Sequence, residues 1–119
     1  MKHGEIWTVS GGGYAGKPRP AVILQDDRFD TTGSITVCTF TTNQTDAPFF
    51  RLPVVPTSQN GLCEPCLLMV DKITTVPKSH VGTHVGRLDD QTIQRLNRAI
   101  FVFLGLAEPP SRQRAPQPL

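Results

Sequence analysis

Alternating polar and apolar residues predict that the first third of this chain forms β-strands. The first predicted strand runs from Glu5 to Val9 and places Ile6 and Thr8 on one face. The second, from Pro20 to Gln25, contains a continuous apolar run, which indicates burial on both faces. The third, from Ser34 to Asn43, alternates regularly and ends in a threonine pair. These three segments predict one sheet with a buried central strand.

The second half of the chain predicts two more strands and one helix. The strand from Phe49 to Pro56 contains a proline, which confines it to the edge of a sheet, and the strand from Cys66 to Val76 is predicted as the last. A helix begins after Asp89, a capping residue that follows Leu88, and ends at Gly105. Its apolar stripe consists of Ile93, Leu96, Ile100, Phe103 and Leu104. The predicted fold class is therefore mainly β with one C-terminal α-helix.

Composition describes an ordinary globular protein. The 119 residues are 38% hydrophobic and 18% charged, which suits one domain over residues 1–108. Residues 109–119 are rich in proline and poor in apolar residues, so we expect a disordered tail. No run is long and apolar enough to cross a membrane and no signal-peptide core is visible, so a cytoplasmic location is expected. The net charge of +2 allows an acidic partner without requiring one.

Arg19 is the first candidate for function. Pro18 and Pro20 flank it and restrict the backbone to extended geometry, so its planar guanidinium stands on a stiff stem that suits phosphate binding. The alternative is an arginine that caps a strand edge and faces water. Thr41 and Thr42 end the third strand, and an antiparallel neighbour that begins near Arg19 would bring a threonine to the guanidinium. Together they would form an anion-binding pair.

Other polar positions leave two interpretations open. Tyr14 follows three glycines in a loop that lacks the lysine and serine of a P-loop, so it could stack on a base or anchor the core. Arg51 lies on the predicted edge strand and is a candidate wall for a substrate strand or a partner chain. Asp71 lies among apolar residues and requires a cation or backbone donors, with Arg19 as one candidate partner.

The three cysteines are an odd number, which favours reduced thiols over a disulfide framework. Cys63 and Cys66, followed by His80 and His84, formally match the spacing of a zinc site with two cysteines and two histidines. The histidines of such a site belong on a helix, whereas these follow Pro77 and lie among glycine and β-branched residues. We therefore predict two thiols and two loop histidines, with no metal.

Several motifs together resemble the MazF/PemK family of toxins from type II toxin-antitoxin systems. The resemblance covers about residues 3–106. The motifs are Gly4-Glu5-Ile6-Trp7, Arg19-Pro20-Ala21-Val22-Ile23-Leu24, Val37-Cys38-Thr39-Phe40-Thr41-Thr42, Asn60-Gly61-Leu62 and Val70-Asp71-Lys72-Ile73-Thr74-Thr75-Val76. It implies a small SH3-like β-barrel of the PemK/CcdB type with a C-terminal helix, a homodimer, and a cognate antitoxin. It also implies sequence-specific, metal-independent cleavage of single-stranded RNA, such as mRNA, tRNA or rRNA.

The resemblance also assigns roles to residues. The family's catalytic arginine corresponds to Arg19, its catalytic hydroxyl to Thr41, and the aspartate of its Asp-Gln-Ile motif to Asp71. Tyr14, Lys17, Thr42 and Arg51 are the expected RNA-binding residues. In such enzymes the ribose 2′-hydroxyl attacks the neighbouring phosphate, giving a 2′,3′-cyclic phosphate and a 5′-hydroxyl. Arginine does not deprotonate readily, so the general base would be Asp71, an unmatched group or poised geometry alone.

Two other functions are compatible with the same resemblance. A gyrase-poisoning toxin of the CcdB type would act through protein contacts of the helix, and a catalytically silent module would only bind RNA. Either would tolerate Arg19→Ala, whereas a ribonuclease would not. In a ribonuclease of this kind, loop and edge side chains would read the single-stranded bases and set the recognised RNA sequence.

Overall fold

The computed structural model describes residues 1–10, 17–43 and 50–107, which form six strands and one α-helix. The elements in chain order are β1 (Glu5–Val9), β2 (Arg19–Ile23), β3 (Ser34–Thr41), β4 (Arg51–Val54), β5 (Cys66–Pro77), β6 (Val81–Arg87) and α1 (Asp90–Phe103). Every strand pairing is antiparallel, in the order β4-β5-β3-β2-β1-β6. The mainly β class with one C-terminal helix is confirmed. The predicted tail falls outside the described residues.

The sheet curls towards a barrel without closing as one. In the described part of the chain β4 and β6 are the two ends of the strand order, which confirms the edge position predicted from Pro53. Instead of pairing directly, these edges are linked by the loop after β4. The backbone N–H of Arg87 in β6 donates to the carbonyl of Gln59 in that loop at 3.0 Å. The closed barrel implied by the resemblance is therefore a loose description.

The continuous apolar run in β2 is explained by two cores, one on each face of the sheet. Val22 belongs to the core under α1, while Ala21 and Ile23 belong to the core on the opposite face. All three side chains are fully buried, as predicted. The regular strand ends at Ile23 rather than at Gln25.

The prediction that Cys66–Val76 is the last strand is wrong. A short 3-10 turn, Lys78–His80, follows β5 and leads into a further strand, β6, which pairs antiparallel with β1. Gly82 and Gly86 weaken the β signal in this segment, and Gly86 is needed because other backbone lies close. A Cβ on Gly86 would lie 2.5 Å from the carbonyl oxygen of Gln59.

Helix α1 begins as predicted, because the Asp89 carboxylate accepts from the backbone N–H of Thr92 at 3.3 Å. Ile93 and Leu96 are buried, which confirms the first half of the predicted stripe. Phe103 and Leu104 at its other end are 45% and 55% exposed. The described residues contain no helix of the length and hydropathy needed to cross a membrane.

Candidate functional site

Strand register brings Arg19 and Thr41 to the same end of the sheet. The antiparallel pairing of β2 and β3 sets Ala21 opposite Thr39. Arg19 lies two residues before Ala21 and Thr41 lies two residues after Thr39, so the same antiparallel register brings Arg19 towards Thr41. Both residues line one cavity, so the predicted anion-binding pair has its two members at one site.

Arg19 offers its guanidinium to the cavity without a carboxylate to neutralise it. The residue is exposed, and within residues 1–10, 17–43 and 50–107 it forms no ion pair. Its backbone is fixed by pairing with Val9 of β1. A fixed and uncompensated guanidinium is well suited to bind a phosphate.

Thr41 presents a hydroxyl whose oxygen is already oriented. The Oγ1 atom accepts from the backbone N–H of Asn43 at 3.1 Å, a bond that uses an oxygen lone pair and not the hydroxyl proton. Thr42 also lines the cavity, and Lys17 is exposed two residues before Arg19. Tyr14 lies outside the described residues. Among the predicted RNA-binding residues that the structure describes, Thr42 is thus the one brought to the cavity itself.

The cavity has a volume of about 640 Å³ and is open to solvent. This size lies within the usual range of ligand clefts. Its described lining consists of Arg19, Pro20, Phe40, Thr41, Thr42, Gly61, Leu62, Cys63, Glu64, Cys66, Met69 and Val85. One wall comes from β2 and β3 and a second from the loop before β5, and residues of β5 and β6 complete the lining.

The loop before β5 is held in place by Asn60, which is 4% exposed. Its side-chain oxygen accepts from the backbone N–H groups of Thr57 at 2.9 Å and Leu62 at 3.0 Å. Its amide donates to the carbonyl of Val55 at 2.9 Å. These hydrogen bonds form a tight turn at Asn60 and fix the chain that leads into the cavity wall.

Asp71 and Arg51 bind each other rather than the cavity. Arg51 donates to the two carboxylate oxygens of Asp71 at 2.8 and 3.0 Å, and the two side chains are 13% and 19% exposed. The hydrogen bonds from Arg51 lower the pKa of Asp71. The suggestion that Asp71 pairs with Arg19 is wrong, because the adjacent edge strand supplies the partner. Neither residue belongs to the described lining, so their roles in catalysis and RNA binding stay predictions.

Comparison with known proteins agrees with this fold. The family model described as PemK-like, MazF-like toxin of type II toxin-antitoxin system matches residues 2–104. The chain belongs to this family. A probable endoribonuclease MazF of Mycolicibacterium smegmatis is 51% identical over 108 residues, covering 90% of this chain and 99% of that protein. Endoribonuclease MazF9 of Mycobacterium tuberculosis is 28% identical over 116 residues, covering 89% of this chain and 98% of the relative.

Solved structures of MazF-type toxins share the fold. The Mycobacterium tuberculosis toxin MazF-mt6 superposes with a TM-score of 0.73 at 25% identity, over 87% of this chain and 98% of that one. An endoribonuclease from a mycobacterial species, solved in complex with its cognate antitoxin, gives 0.73 at 23% identity over 92% of this chain and 99% of its own. The resemblance inferred from the motifs is confirmed, and this MazF-family toxin belongs with enzymes named as endoribonucleases.

The cysteines and histidines of this MazF-family toxin do not assemble into the formal zinc pattern. Cys63 and Cys66 line the cavity, whereas His84 stacks on Trp7 with ring centroids 5.0 Å apart. No group of three or more potential ligands is placed to hold a metal in the described ranges. Burial raises the pKa of the Cys66 thiol to about 11, so it stays protonated at neutral pH. The histidines predicted for a loop lie in the 3-10 turn and in β6.

Sequence reasoning missed the wall formed by Leu62, Cys63 and Glu64. The sequence patterns in this segment are a family motif that ends at Leu62 and a formal metal-binding spacing that begins at Cys63, and neither gives a role to the carboxylate between the cysteines. A signal was present, because Glu64 lies two residues after the Asn60-Gly61-Leu62 motif shared with the family. Its meaning depends on the loop that crosses to β6, a contact that no local pattern records.

Proposed function

We propose that this protein is the toxin of a type II toxin-antitoxin system and cleaves single-stranded RNA sequence-specifically without a metal ion. The observation that carries the proposal is the convergence of Arg19 and Thr41 on one open cavity. Membership of the MazF family and the names of its relatives support RNA as the substrate. The proposed setting is the cytoplasm, where mRNA, tRNA and rRNA are available.

The proposed reaction is an internal phosphoryl transfer. The 2′-oxygen attacks the adjacent phosphorus, the bond from phosphorus to the 5′-oxygen breaks, and a 2′,3′-cyclic phosphate and a 5′-hydroxyl result. Arg19 stabilises the charge that collects on the phosphate oxygens, and the Thr41 hydroxyl donates to one of them. The polar β2 and β3 wall thus binds the phosphate directly, with Lys17 and Thr42 positioned to hold neighbouring phosphates and Tyr14 predicted to stack on a base.

Two protein partners belong to the proposal. A second copy would form a homodimer, and a cognate antitoxin would block the RNA-binding cavity. The solved mycobacterial complex with its cognate antitoxin supports the antitoxin as a partner. The apolar surface at the end of α1 supports the homodimer. The antitoxin is expected to suppress cleavage by competing with RNA for the cavity.

Incubation of the purified protein with a long single-stranded RNA in EDTA tests the proposal. Discrete cuts with 5′-hydroxyl ends are expected. Arg19→Ala should lower the cleavage rate by about 100-fold or more, and Thr41→Val, which keeps the side-chain shape, by about 10-fold or more. Asp30→Asn, at an exposed loop carboxylate that pairs with Lys78, serves as the control and should cut like wild type.

Circular dichroism and thermal melting must show that each variant is folded. If well-folded wild type makes no cuts, the ribonuclease proposal fails and a gyrase-poisoning toxin becomes the leading alternative. If folded Arg19→Ala and Thr41→Val cut at the wild-type rate, the cavity is not the active site. Cutting that disappears in EDTA and returns with a divalent metal would contradict the metal-independent chemistry.

A further inference from the structure

Glu64 places a carboxylate in the same cavity as Arg19 and Thr41. It is the one carboxylate in the described lining, as Arg19 is the one cation. Glu64 is exposed, and across the three described ranges no cationic group lies within ion-pair distance of it. The cavity therefore contains a base on one wall and a phosphate-binding group on the other.

Attack by a ribose 2′-hydroxyl is accelerated when a positioned base removes its proton. Four other groups in or near the cavity are poorly suited to do so. Arg19 stays protonated, the Thr41 hydroxyl is no stronger a base than the 2′-hydroxyl itself, and the buried Cys66 thiol stays neutral. Asp71 has both carboxylate oxygens bound to Arg51 and lies outside the described lining.

The loop that carries Glu64 is fixed on both sides. Before it, the side-chain oxygen of the buried Asn60 accepts from the backbone N–H of Leu62 at 3.0 Å, and Gly61 packs against the carbonyl of Val85. After it, Pro65 leads directly into β5 at Cys66. Because its backbone is anchored on both sides, Glu64 is held at the same cavity as Arg19 before substrate binds, which reduces the entropic cost of positioning a base.

We propose that Glu64 is the general base of RNA cleavage, an inference that rests on the ribonuclease activity proposed above. A Glu64 carboxylate oxygen takes the 2′-hydroxyl proton while the 2′-oxygen bonds to phosphorus and the bond to the 5′-oxygen breaks. The departing 5′-oxygen takes a proton from a water molecule, and the hydroxide that remains takes the proton held by Glu64. The cyclic phosphate keeps the single negative charge of the diester, so atoms and charge balance.

A different role for Glu64 makes different predictions. A carboxylate can also accept hydrogen bonds from amino groups on a base and so select the cleavage site. That role would change which sites are cut and the KM when Glu64 is replaced. Loss of a general base instead lowers kcat at unchanged sites.

The test compares wild type, Glu64→Gln, Glu64→Asp and Asp71→Asn on one short RNA with a single cleavage site, in EDTA. Asp30→Asn is again the charge-matched control. Glu64→Gln is expected to lower kcat by about 100- to 10,000-fold with little change in KM, whereas Glu64→Asp retains more activity. Asp30→Asn should stay within about twofold of wild type.

A second substrate, with sulfur in place of the bridging 5′-oxygen, separates base from acid catalysis. Sulfur leaves without needing a proton, so this RNA restores activity to a variant that lacks a general acid but not to one that lacks the base. Glu64→Gln is expected to remain slow on it.

Several results would overturn the assignment. Folded Glu64→Gln with wild-type kcat, altered cleavage sites at unchanged kcat, rescue by the sulfur substrate, or a large loss of kcat in Asp71→Asn alone would each remove Glu64 from this role. These outcomes require active wild type and so leave the ribonuclease proposal intact. Inactive wild type overturns both proposals.

Discussion

Two arginines show how one residue type is divided between function and stability. Arg51 is mostly buried and donates both of its hydrogen bonds to Asp71, so its charge is neutralised within the protein. Arg19 is exposed at the entrance of β2 and forms no ion pair with the described residues. The difference comes from the strands next to them. The neighbour of Arg51, β5, supplies the carboxylate of Asp71, whereas the neighbour of Arg19, β3, supplies Thr41.

Asp71→Asn should lower the free energy of unfolding by about 2 kcal/mol at neutral pH, since it leaves the Arg51 charge without its partner. The pKa of Asp71 is lowered in the folded state. The contribution of the ionised Asp71 to the free energy of unfolding is therefore complete above the pKa of an unfolded aspartate, about 3.9. It is lost as the pH falls through the lower pKa of Asp71 in the folded protein. Urea unfolding at pH 7 and at steps below pH 4 measures this change.

The Asp26–Arg28 pair provides the control for that measurement. Its side chains are 50% and 81% exposed, so Asp26→Asn should have a much smaller effect than Asp71→Asn. A difference between wild type and Asp71→Asn that stays constant down to low pH would show that the ion pair is not its source.

At the scale of elements, the loop between β4 and β5 joins the open edge of the sheet to the cavity. The side chain of Asn60 holds the loop together through its hydrogen bonds, and the carbonyl of Gln59 accepts from the backbone N–H of Arg87 in β6. The absence of a side chain at Gly86 allows this approach. The position of Glu64 is consequently tied to β6, the strand that sequence patterns did not predict.

Gly86→Ala should destabilise the fold by about 1–3 kcal/mol and reduce RNA cleavage, because its Cβ would lie 2.5 Å from the Gln59 carbonyl oxygen. Backbone on both sides must move to relieve the contact. Thermal melting and the cleavage rate measure the two effects.

Gly33→Ala is the matched control, since a Cβ there has no atom within 4 Å. It should change the free energy of unfolding by about 0.5 kcal/mol or less. Equal stability and activity in the two variants would contradict the close packing of β6 on the loop.

At the scale of the whole molecule, the far end of α1 has more apolar surface than the sheet covers. Ile93 and Leu96 fill the core, whereas exposed apolar side chains follow them. These are Phe101, Phe103, Leu104 and Leu106, at 51%, 45%, 55% and 67% exposure. A cluster of this kind usually marks a protein contact, and the proposed homodimer is the contact we expect to cover it.

Phe101→Asp should convert a dimer into a monomer, or weaken association at least about 10-fold, because it sets a charge in the apolar contact. Light scattering after size-exclusion chromatography measures the mass in solution. Gln94→Asp, an exposed position near the start of the same helix, adds the same charge and should leave the mass unchanged. A dimer unaffected by Phe101→Asp would place the interface elsewhere.

The sequence alone determined what depends on short-range order. The alternation of β1, the doubly buried run of β2, the proline edge strand and the Asp89 cap all follow from neighbouring residues, and the linked motifs identified the family. Arg19 and Thr41 could be paired because antiparallel register is a local rule extended across two strands.

Only the tertiary structure decided which partners distant residues find. Asp71 binds Arg51 rather than Arg19, β6 forms although its glycines weaken the local signal, and Glu64 reaches the cavity. Each of these depends on a contact between segments that are far apart in the chain. Local propensity carries no information about such contacts, because their free energy comes from burial, pairing and close backbone approach in the folded molecule.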